Sequence, residues 1–334
     1  MFIRLFKALK RFIYIGCFLT LLIQNGQSQQ LPLYSQYMMN KYMLNPAIAG
    51  SEGYTTFSLT AREQWLGFDN APRTHAMSFQ TRLLKRSYII KSRNVRKKTF
   101  RPSRSGRVGL GGYIYNDRNG LVNRTGVQFS YAYHIRLDMS QLSFGLAGSV
   151  FQFNLLDEQI RFWDPSEPLV YDGSTRRVLI VPDASFGVYF STYEFYAGFS
   201  AAQLFQSYLK IGHQSFDNYR LMRHYFLTAG YIFDLGHDFE LEPSLLLKTT
   251  EQLQYQLDIN TKLFYRQDLW LGASFRTGSS LILMGGFRVN QIYFGYAFDY
   301  TLSNIMKYSI GTHEFMVALK LGDNARRYRW IERY

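Results

Sequence analysis

Apolar and polar positions alternate along most of the chain. Between residues 125 and 136, for example, Val127, Phe129 and Tyr131 alternate with Gln128 and Ser130. Successive side chains of a β-strand point to opposite faces, so this period predicts strands with one apolar and one polar face. Fourteen segments show the pattern, at residues 55–66, 73–84, 107–115, 125–136, 141–152, 183–191, 194–201, 223–235, 239–248, 254–265, 268–276, 281–289, 291–300 and 312–321.

The lengths of these segments and of their connections predict a membrane barrel. Strands of roughly 9–11 residues cross a bilayer when tilted, and bacterial single-chain barrels have an even number of strands, short periplasmic turns and longer outer loops. If the first strand starts in the periplasm, the long connections 153–182 and 202–222 fall on the outer side. We therefore predict an all-β fold, a transmembrane antiparallel β-barrel of about 14 strands formed by residues 54–321.

The first residues predict export. Four cations in the first eleven residues precede the apolar run Phe12–Ile23, and Gly26 and Ser28 have the spacing that a signal peptidase reads. Residues 1–28 are therefore predicted to be a cleaved signal peptide, too short to be a spanning helix. The single cysteine, Cys17, lies in this leader. The mature chain thus has no thiol for a disulfide or a thiolate metal site.

Composition agrees with a barrel. The chain has 26 Tyr and 28 Phe, and aromatic girdles mark both interfaces of outer-membrane barrels. The net charge is +14, or about +10 after removal of the four leader cations. For an exported chain this charge favours anionic outer-membrane lipid or sugar polymers. Nucleic acid is set aside as a partner because the chain is predicted to be exported.

One connection does not fit the short-turn rule. Residues 85–107 join the second and third strands on the periplasmic side and contain ten basic residues and no acidic one. Like charges repel and extend such a segment. It is a solvated insertion, a docking arm for an acidic periplasmic partner, or the sign of a slipped strand. The residues that would contact a partner are Arg93, Arg96, Lys97, Lys98, Arg101 and Arg104.

Residues 29–53, between the leader and the first strand, are rich in Tyr and Met. So many apolar side chains must be buried, and the available surface is the lumen or the periplasmic mouth of the barrel. We predict a plug-like segment there, with a free linker as the alternative. Asn45-Pro46 predicts an extended or turn geometry, and Gly50 permits a backbone conformation that other residues resist.

The same block carries a family resemblance, which extends over essentially the whole mature chain. It contains Tyr34-Ser35-Gln36-Tyr37-Met38 and then Leu44-Asn45-Pro46-Ala47. These two stretches resemble the opening of PorP/SprF proteins, outer-membrane components of type IX secretion in Bacteroidetes. The Arg62-Glu63-Gln64-Trp65 stretch is similar to the first hairpin of that family. The matching residues of the two motifs are Tyr34, Ser35, Gln36, Tyr37, Met38, Asn45, Pro46, Gly50, Arg62, Gln64 and Trp65.

The resemblance implies an accessory barrel that helps a secreted surface protein, such as a gliding adhesin, to reach and stay on the cell surface. The implied partners are the cargo, through its C-terminal signal domain, and the periplasmic ring and motor components or peptidoglycan-linked proteins. The tail 322–334 continues past the last strand and is a second candidate periplasmic contact or a frayed end. A pore or transporter for a small solute or lipid, and a structural barrel linked to the cell wall, are the alternatives.

No motif predicts catalysis, a cofactor or a metal site. His134 and Ser130 share a strand face, but four residues of strand separate their Cα atoms by about 13 Å. The other histidines are scattered, without an H-x-x-H pair or a Gly-x-Ser-x-Gly elbow. The sequence therefore predicts that the protein is not an enzyme.

Overall fold

Fourteen antiparallel strands form one closed sheet in the structure, a computed structural model that describes residues 34–83, 107–137, 140–155, 178–206, 208–209, 219–236, 238–278 and 280–321. The strands are β1 (Thr55–Glu63), β2 (Arg73–Leu83), β3 (Val108–Asn119), β4 (Val122–Leu137), β5 (Ser140–Leu155), β6 (Val178–Ser191), β7 (Phe195–Ala202), β8 (His224–Tyr231 continued by Phe233–Gly236), β9 (Phe239–Thr250), β10 (Tyr255–Tyr265), β11 (Leu269–Arg276), β12 (Ser280–Val289), β13 (Ile292–Thr301) and β14 (Thr312–Leu321).

Each strand pairs with its neighbours in sequence, and β1 closes the sheet against β14. This closing pair runs in register from Thr55 opposite Leu321 to Glu63 opposite His313. Closure leaves no edge strand, so every strand of the described sheet has a partner on both sides. The prediction of a closed barrel of about 14 strands is confirmed.

The two faces of the sheet invert the arrangement of a soluble protein. On β4, Gln128, Ser130 and His134 point inward and are at most 6% exposed, whereas Phe129 is 71% exposed on the outer face. The polar face of the alternation is thus the lumen, and the apolar face is the outer surface. An apolar outer surface around a polar interior is favourable only in an apolar environment such as a bilayer.

Aromatic side chains cluster at the end of the barrel where β1 begins and β14 ends. The rings of Tyr231 and Phe233 lie 4.5 Å apart, and those of Phe239 and Tyr265 lie 5.0 Å apart. All four are exposed on the outer face. Rings at this depth are typical of an interfacial girdle.

The connections distinguish the two ends of the barrel. At the end that carries the girdle, β4–β5, β6–β7, β8–β9, β10–β11 and β12–β13 are each joined by a short turn, so this end is periplasmic. The opposite, outer end has the long connections 156–177 and 203–223. A small ribbon, Tyr208–Leu209 paired with Tyr219–Arg220, lies within the second of these.

Several predicted strand ends are wrong. β3 and β4 continue to Asn119 and Val122, so residues 116–124 form strand with a two-residue turn and not a loop. β5 continues to Leu155 and β6 begins at Val178, which shortens the predicted loop 153–182. The outward-facing side chains near the first of these ends are polar, as at Asn116 and Thr125, so the apolar period stops before the pairing does.

Several predictions fall outside the described residues. These concern the signal peptide 1–28, the basic segment except Arg107, most of the two long outer loops, and the tail 322–334. Among the described residues, no helix has the length and apolar character needed to span a bilayer.

The outward direction of the apolar face can be tested on β1. Leu59 lies at the middle of this strand and is 55% exposed. We expect Leu59→Arg to reduce the free energy of unfolding in lipid vesicles by about 2–4 kcal/mol, because the charge would face hydrocarbon. The measurement is a denaturant titration of the vesicle-embedded barrel.

Leu253→Arg is the matched control, since Leu253 is 80% exposed in the turn 251–254 between β9 and β10. It should leave the free energy of unfolding nearly unchanged. Equal costs at both positions would contradict the assignment of the faces.

Candidate functional site

Residues 34–53, here called the lumenal segment, lie inside the barrel. Ser35 and Gln36 contact Asp299 and Glu314, near the outer ends of β13 and β14. Residues 49–51 contact His134, Arg82 and Gln141 near the periplasmic ends of β4, β2 and β5. The segment therefore runs along the lumen from its outer half to its periplasmic mouth.

Two apolar clusters hold this segment against the wall. Tyr37 and Met38 pack with Trp270, Ile282 and other side chains of β8, β9 and β11–β13. Tyr42, which is completely buried, packs with residues 47–49 and with β4, β6 and β7. Burial raises the pKa of the Tyr42 phenol, which therefore stays protonated and donates a hydrogen bond of 3.0 Å to Ser130 Oγ.

Local sequence sets the path of the segment at Asn45-Pro46. Asn45 is extended, as the residue before a proline prefers, and its Oδ1 accepts a 2.9 Å hydrogen bond from the Ala47 N–H. Its Nδ2 donates to the carbonyls of Val188 and Phe199 on β6 and β7. Gly50 has φ +67°, and a Cβ there would lie 2.6 Å from the Thr81 carbonyl oxygen. The predicted geometry of this stretch is confirmed.

Glu314 on β14 anchors the outer end of the segment. Its carboxylate accepts the backbone N–H groups of Ser35 at 2.6 Å and of Gln36 at 2.8 Å. The Gln36 amide donates in turn to the Glu314 carbonyl oxygen, at 3.1 Å. Hydrogen bonds to a charged acceptor contribute about 1.5–3 kcal/mol each, so this contact is a strong one.

A belt of alternating charges supports Glu314. Arg62 lies 3.7 Å from Glu314 and 3.1 Å from Asp299, which also accepts a 2.7 Å hydrogen bond from Ser35 Oγ. Arg276 continues the belt, 3.9 Å from Asp299 and 3.0 Å from Asp258. The five charged side chains of the belt, Glu314, Arg62, Asp299, Arg276 and Asp258, are all buried. Buried charges are tolerated only when paired, so the belt has to form as a unit.

A second ionic group fixes the middle of the segment. Lys41 lies 3.1 Å from Glu242 on β9, and Lys262 on β10 lies 2.9 Å from the same carboxylate. The Lys41 ammonium also sits 3.5 Å from the ring centroid of Tyr196, whose hydroxyl donates to Glu242. Burial alone would lower the pKa of Lys41, but Glu242 offsets this and the pKa is raised overall.

The wall makes room for the segment with glycines. A Cβ at Gly109 would overlap the Ala49 carbonyl oxygen, and one at Gly145 would overlap the Ala47 nitrogen. A Cβ at Gly187 would overlap the Asn45 side chain. These three inward positions, on β3, β5 and β6, allow the lumenal segment to approach the sheet backbone closely.

The sequence motifs divide between two places. Tyr34, Ser35, Gln36, Tyr37, Met38, Asn45, Pro46 and Gly50 all belong to the lumenal segment, and Arg62 reaches them through the charged belt. Gln64 and Trp65 instead begin the outer loop 64–72. There the Gln64 N–H donates to the Pro72 carbonyl oxygen, and the Trp65 backbone N–H donates to Thr312 Oγ1.

The barrel-side partners of the segment were missed by the sequence motifs. They are Asp299, Glu242, Gly145 and Gly187. The inward period of each strand marks these positions as lumenal, and a buried charge in a lumen requires a partner. The partner of each of these residues depends on which strands face one another across the lumen, and no local sequence pattern predicts that.

Among the residues that the structure describes, no catalytic constellation is found. The His134 ring is held by Ser143 Oγ at 2.8 Å and by the Ala49 carbonyl oxygen at 3.0 Å, so it has a structural role. Glu314 likewise has a structural role, as the anchor of the lumenal segment. No group of three or more metal-ligating side chains occurs within the described ranges.

Comparison with known proteins identifies the family. The model of the type IX secretion system membrane protein PorP/SprF matches residues 26–319. The chain belongs to the PorP/SprF family. This PorP/SprF protein is an outer-membrane component of type IX secretion, and its closed barrel with an apolar outer face fits that location. No curated protein matches the chain.

The chain is also similar, at low identity, to solved outer-membrane proteins. Omp33 of Acinetobacter baumannii is 9% identical with a TM-score of 0.42, covering 81% of this chain and 100% of that one. The toluene transporter TbuX of Ralstonia pickettii is 13% identical with a TM-score of 0.46, covering 88% and 95%. The monoaromatic hydrocarbon channel CymD is 12% identical with a TM-score of 0.44, covering 88% and 93%.

The anchoring role of Glu314 in this PorP/SprF protein can be tested by thiol labelling. The predicted mature chain has no cysteine, so Met38→Cys gives a single reporter at a buried position. We expect Glu314→Ala to raise the labelling rate of this reporter at least about tenfold, since one lost charged hydrogen bond costs about 1.5–3 kcal/mol.

Glu52→Ala is the control, because the Glu52 carboxylate is half exposed and pairs with Lys320 at the periplasmic mouth. It should leave the labelling rate within about twofold. An unchanged rate in Glu314→Ala would refute the anchor.

Two glycines of β5 test the fit of the segment to the wall. We expect Gly145→Ala to destabilise the barrel by about 1–3 kcal/mol, the usual cost of overpacking, and to expose residues 34–53 to protease. Gly148→Ala is the control on the same strand, because a Cβ there has no atom within 4 Å. Equal stability and protease resistance of the two variants would contradict the close fit.

Proposed function

We propose that this protein is a non-enzymatic accessory barrel of the type IX secretion apparatus. It recognises a secreted surface protein, such as a gliding adhesin, on its outer side and helps to deliver or anchor it. On its periplasmic side it contacts the ring or motor components of the machine or peptidoglycan-linked proteins. The family membership supports the role in type IX secretion. The way the lumenal segment is held inside the barrel supports recognition of a partner as the mechanism.

The observation that supports recognition over transport is how the lumenal segment is held. Its hydrogen bonds and ion pairs reach β2, β4–β7, β9, β10, β13 and β14. A barrel whose lumen is filled by its own chain on this scale presents its ends, and not its interior, to partners. In this proposal the segment is a plug.

A pore or transporter for a small solute or lipid is the alternative function. It requires the lumenal segment to leave its place, at the cost of the Glu314 and Glu242 contacts. Because buried ion pairs are costly to break from one side, about 3–5 kcal/mol each, a plug of this kind would need a trigger to open.

The outer loops are where the cargo, through its C-terminal signal domain, is proposed to bind. Loops 156–177 and 203–223 are the long ones. Within the described residues, loop 64–72 is joined to loop 302–311 by hydrogen bonds between Leu66 and residues 310 and 311. Phe68, Tyr308 and Ile310 of this pair are exposed apolar side chains on the outer side. Exposed apolar surface of this kind suits a protein partner.

The decisive experiment is affinity purification of the tagged barrel from native membranes, with mass spectrometry of the retained proteins. Recovery of a large secreted surface protein together with periplasmic secretion components is the expected result. Recovery of the barrel alone from gently solubilised membranes would overturn the proposal in favour of the pore.

The basic segment gives the periplasmic half of the proposal its own test. We expect the combined change Arg96→Glu, Lys97→Glu, Lys98→Glu and Arg101→Glu to abolish recovery of periplasmic partners, because charge reversal repels an acidic surface. Cargo recovery should persist. The readout is quantitative mass spectrometry of the same purification.

The control reverses two cations on the outer side, Arg73 and Lys307, which are both exposed. It should leave the periplasmic partners in place. Retention of those partners by the four-residue variant at wild-type levels would exclude the segment as a docking arm.

A further inference from the structure

A small cavity lies in the lumen between the lumenal segment and the wall. It is partly open and has a volume of about 70 Å³. On one side it is bounded by Tyr34, Met43, Leu44 and Pro46, and on the other by side chains of β3, β4, β6, β7 and β8. Phe226 and Leu44 of its lining belong to the first apolar cluster, and Tyr113 packs against the second.

Aromatic rings form much of the cavity lining. Tyr34, Tyr113, Tyr115 and Phe226 all contribute. The rings of Tyr113 and Tyr115 lie 5.6 Å apart at an angle of 37°, and Tyr42 meets Tyr113 edge-on at 6.4 Å. The face of an aromatic ring carries negative potential and attracts a cation, so a lining rich in rings suits a positive ligand.

A buried carboxylate adds charge to this lining. Asp183 lies on β6, two residues from the lining residue Ser185 on the same inward face, and it is 6% exposed. Its charge acts on both Tyr113 and Tyr115, and Tyr115 also feels Arg124 and Asp117, which pair with each other. Its Oδ1 accepts the N–H groups of Ala184 at 2.7 Å and of Phe205 at 3.2 Å.

No cation in the described part of the chain compensates Asp183. The neighbouring carboxylate Asp117 has its own partners, Thr74 at 2.8 Å and Arg124 at 3.8 Å. Asp183 forms no ion pair with the residues that the structure describes. A buried carboxylate without a countercharge is unfavourable by several kcal/mol, so the site favours a positive ligand.

We propose that this cavity binds an organic cation, an ammonium or guanidinium group, between the tyrosine rings and Asp183. The inference goes beyond the secretion role, because the site is defined by its chemistry whether or not a cargo protein supplies the cation. A Lys or Arg side chain of a partner and a free small amine carry the same head group.

The volume decides between this ligand and a neutral aromatic one. A cavity of ~150 Å³ is what an apolar protein interior uses to hold benzene, about twice the space present here. A guanidinium or ammonium head group needs less room, and the carboxylate would be left without a countercharge by a hydrocarbon. We therefore expect the site to prefer a small organic cation to a neutral aromatic ligand.

The test compares two ligands of nearly equal shape on the full-length mature barrel in detergent. Methylguanidinium is expected to bind saturably by ligand-observed NMR, whereas N-methylurea, its neutral analogue, is not. Equal binding of the two ligands, or no saturable binding of methylguanidinium, would overturn the proposal.

Variants locate the binding. Asp183→Asn keeps the oxygen that accepts the two N–H groups, so the barrel should fold, and affinity for methylguanidinium should fall at least about tenfold. Tyr115→Leu should also weaken binding, and Tyr115→Phe, which keeps the ring, should restore most of it. Asp268→Asn changes a half-exposed periplasmic carboxylate and is the control. Unchanged affinity in both Asp183→Asn and Tyr115→Leu would place the ligand elsewhere.

A second arm identifies the source of the cation. A blocked Gly-Arg-Gly peptide that displaces methylguanidinium indicates a partner side chain entering from the outer mouth. A site that excludes the peptide but still binds methylguanidinium indicates a small free cation. Either result upholds the site itself.

Discussion

Closure of the sheet is the constraint on which the rest of this structure depends. Within a bilayer no water is available for backbone N–H and C=O groups, so every strand must pair on both sides. The β1–β14 pair completes that pairing. In the closed sheet one face of each strand contacts lipid. The opposite face, which carries the charged side chains, therefore lines the lumen. The lumen then contains buried acids and bases that require partners.

The N-terminal segment meets much of that requirement. Glu314 accepts two of its backbone N–H groups, and Glu242 binds Lys41. The segment in return buries tyrosine and methionine side chains that would be unfavourable in water. Sequence-distant parts of the chain are thus mutually dependent, with Ser35 and Glu314 279 residues apart. This dependence is the physical basis for proposing a plugged, recognising barrel in type IX secretion, and not an open channel.

Period-2 alternation was sufficient to predict the strand count and the faces, because side-chain direction follows directly from strand geometry. Local chemistry was sufficient for Asn45-Pro46 and Gly50. Strand ends near Asn116 and Thr125 were not predictable, since polar residues face outward there and the period disappears. The pairings within the charged belt and the contacts of the wall glycines were missed because they depend on which strands meet across the lumen. That Arg62 faces Asp299, or that Gly145 faces Ala47, follows from closure and not from any local pattern.

The most direct test of the central claim is the ion conductance of the purified wild-type barrel in a planar bilayer. If the lumenal segment closes the lumen, insertion should give no stable current, and removal of residues 34–44 should produce steady channels. Stable channels from the wild-type protein, with the conductance of the truncated one, would contradict the account and make transport the primary function.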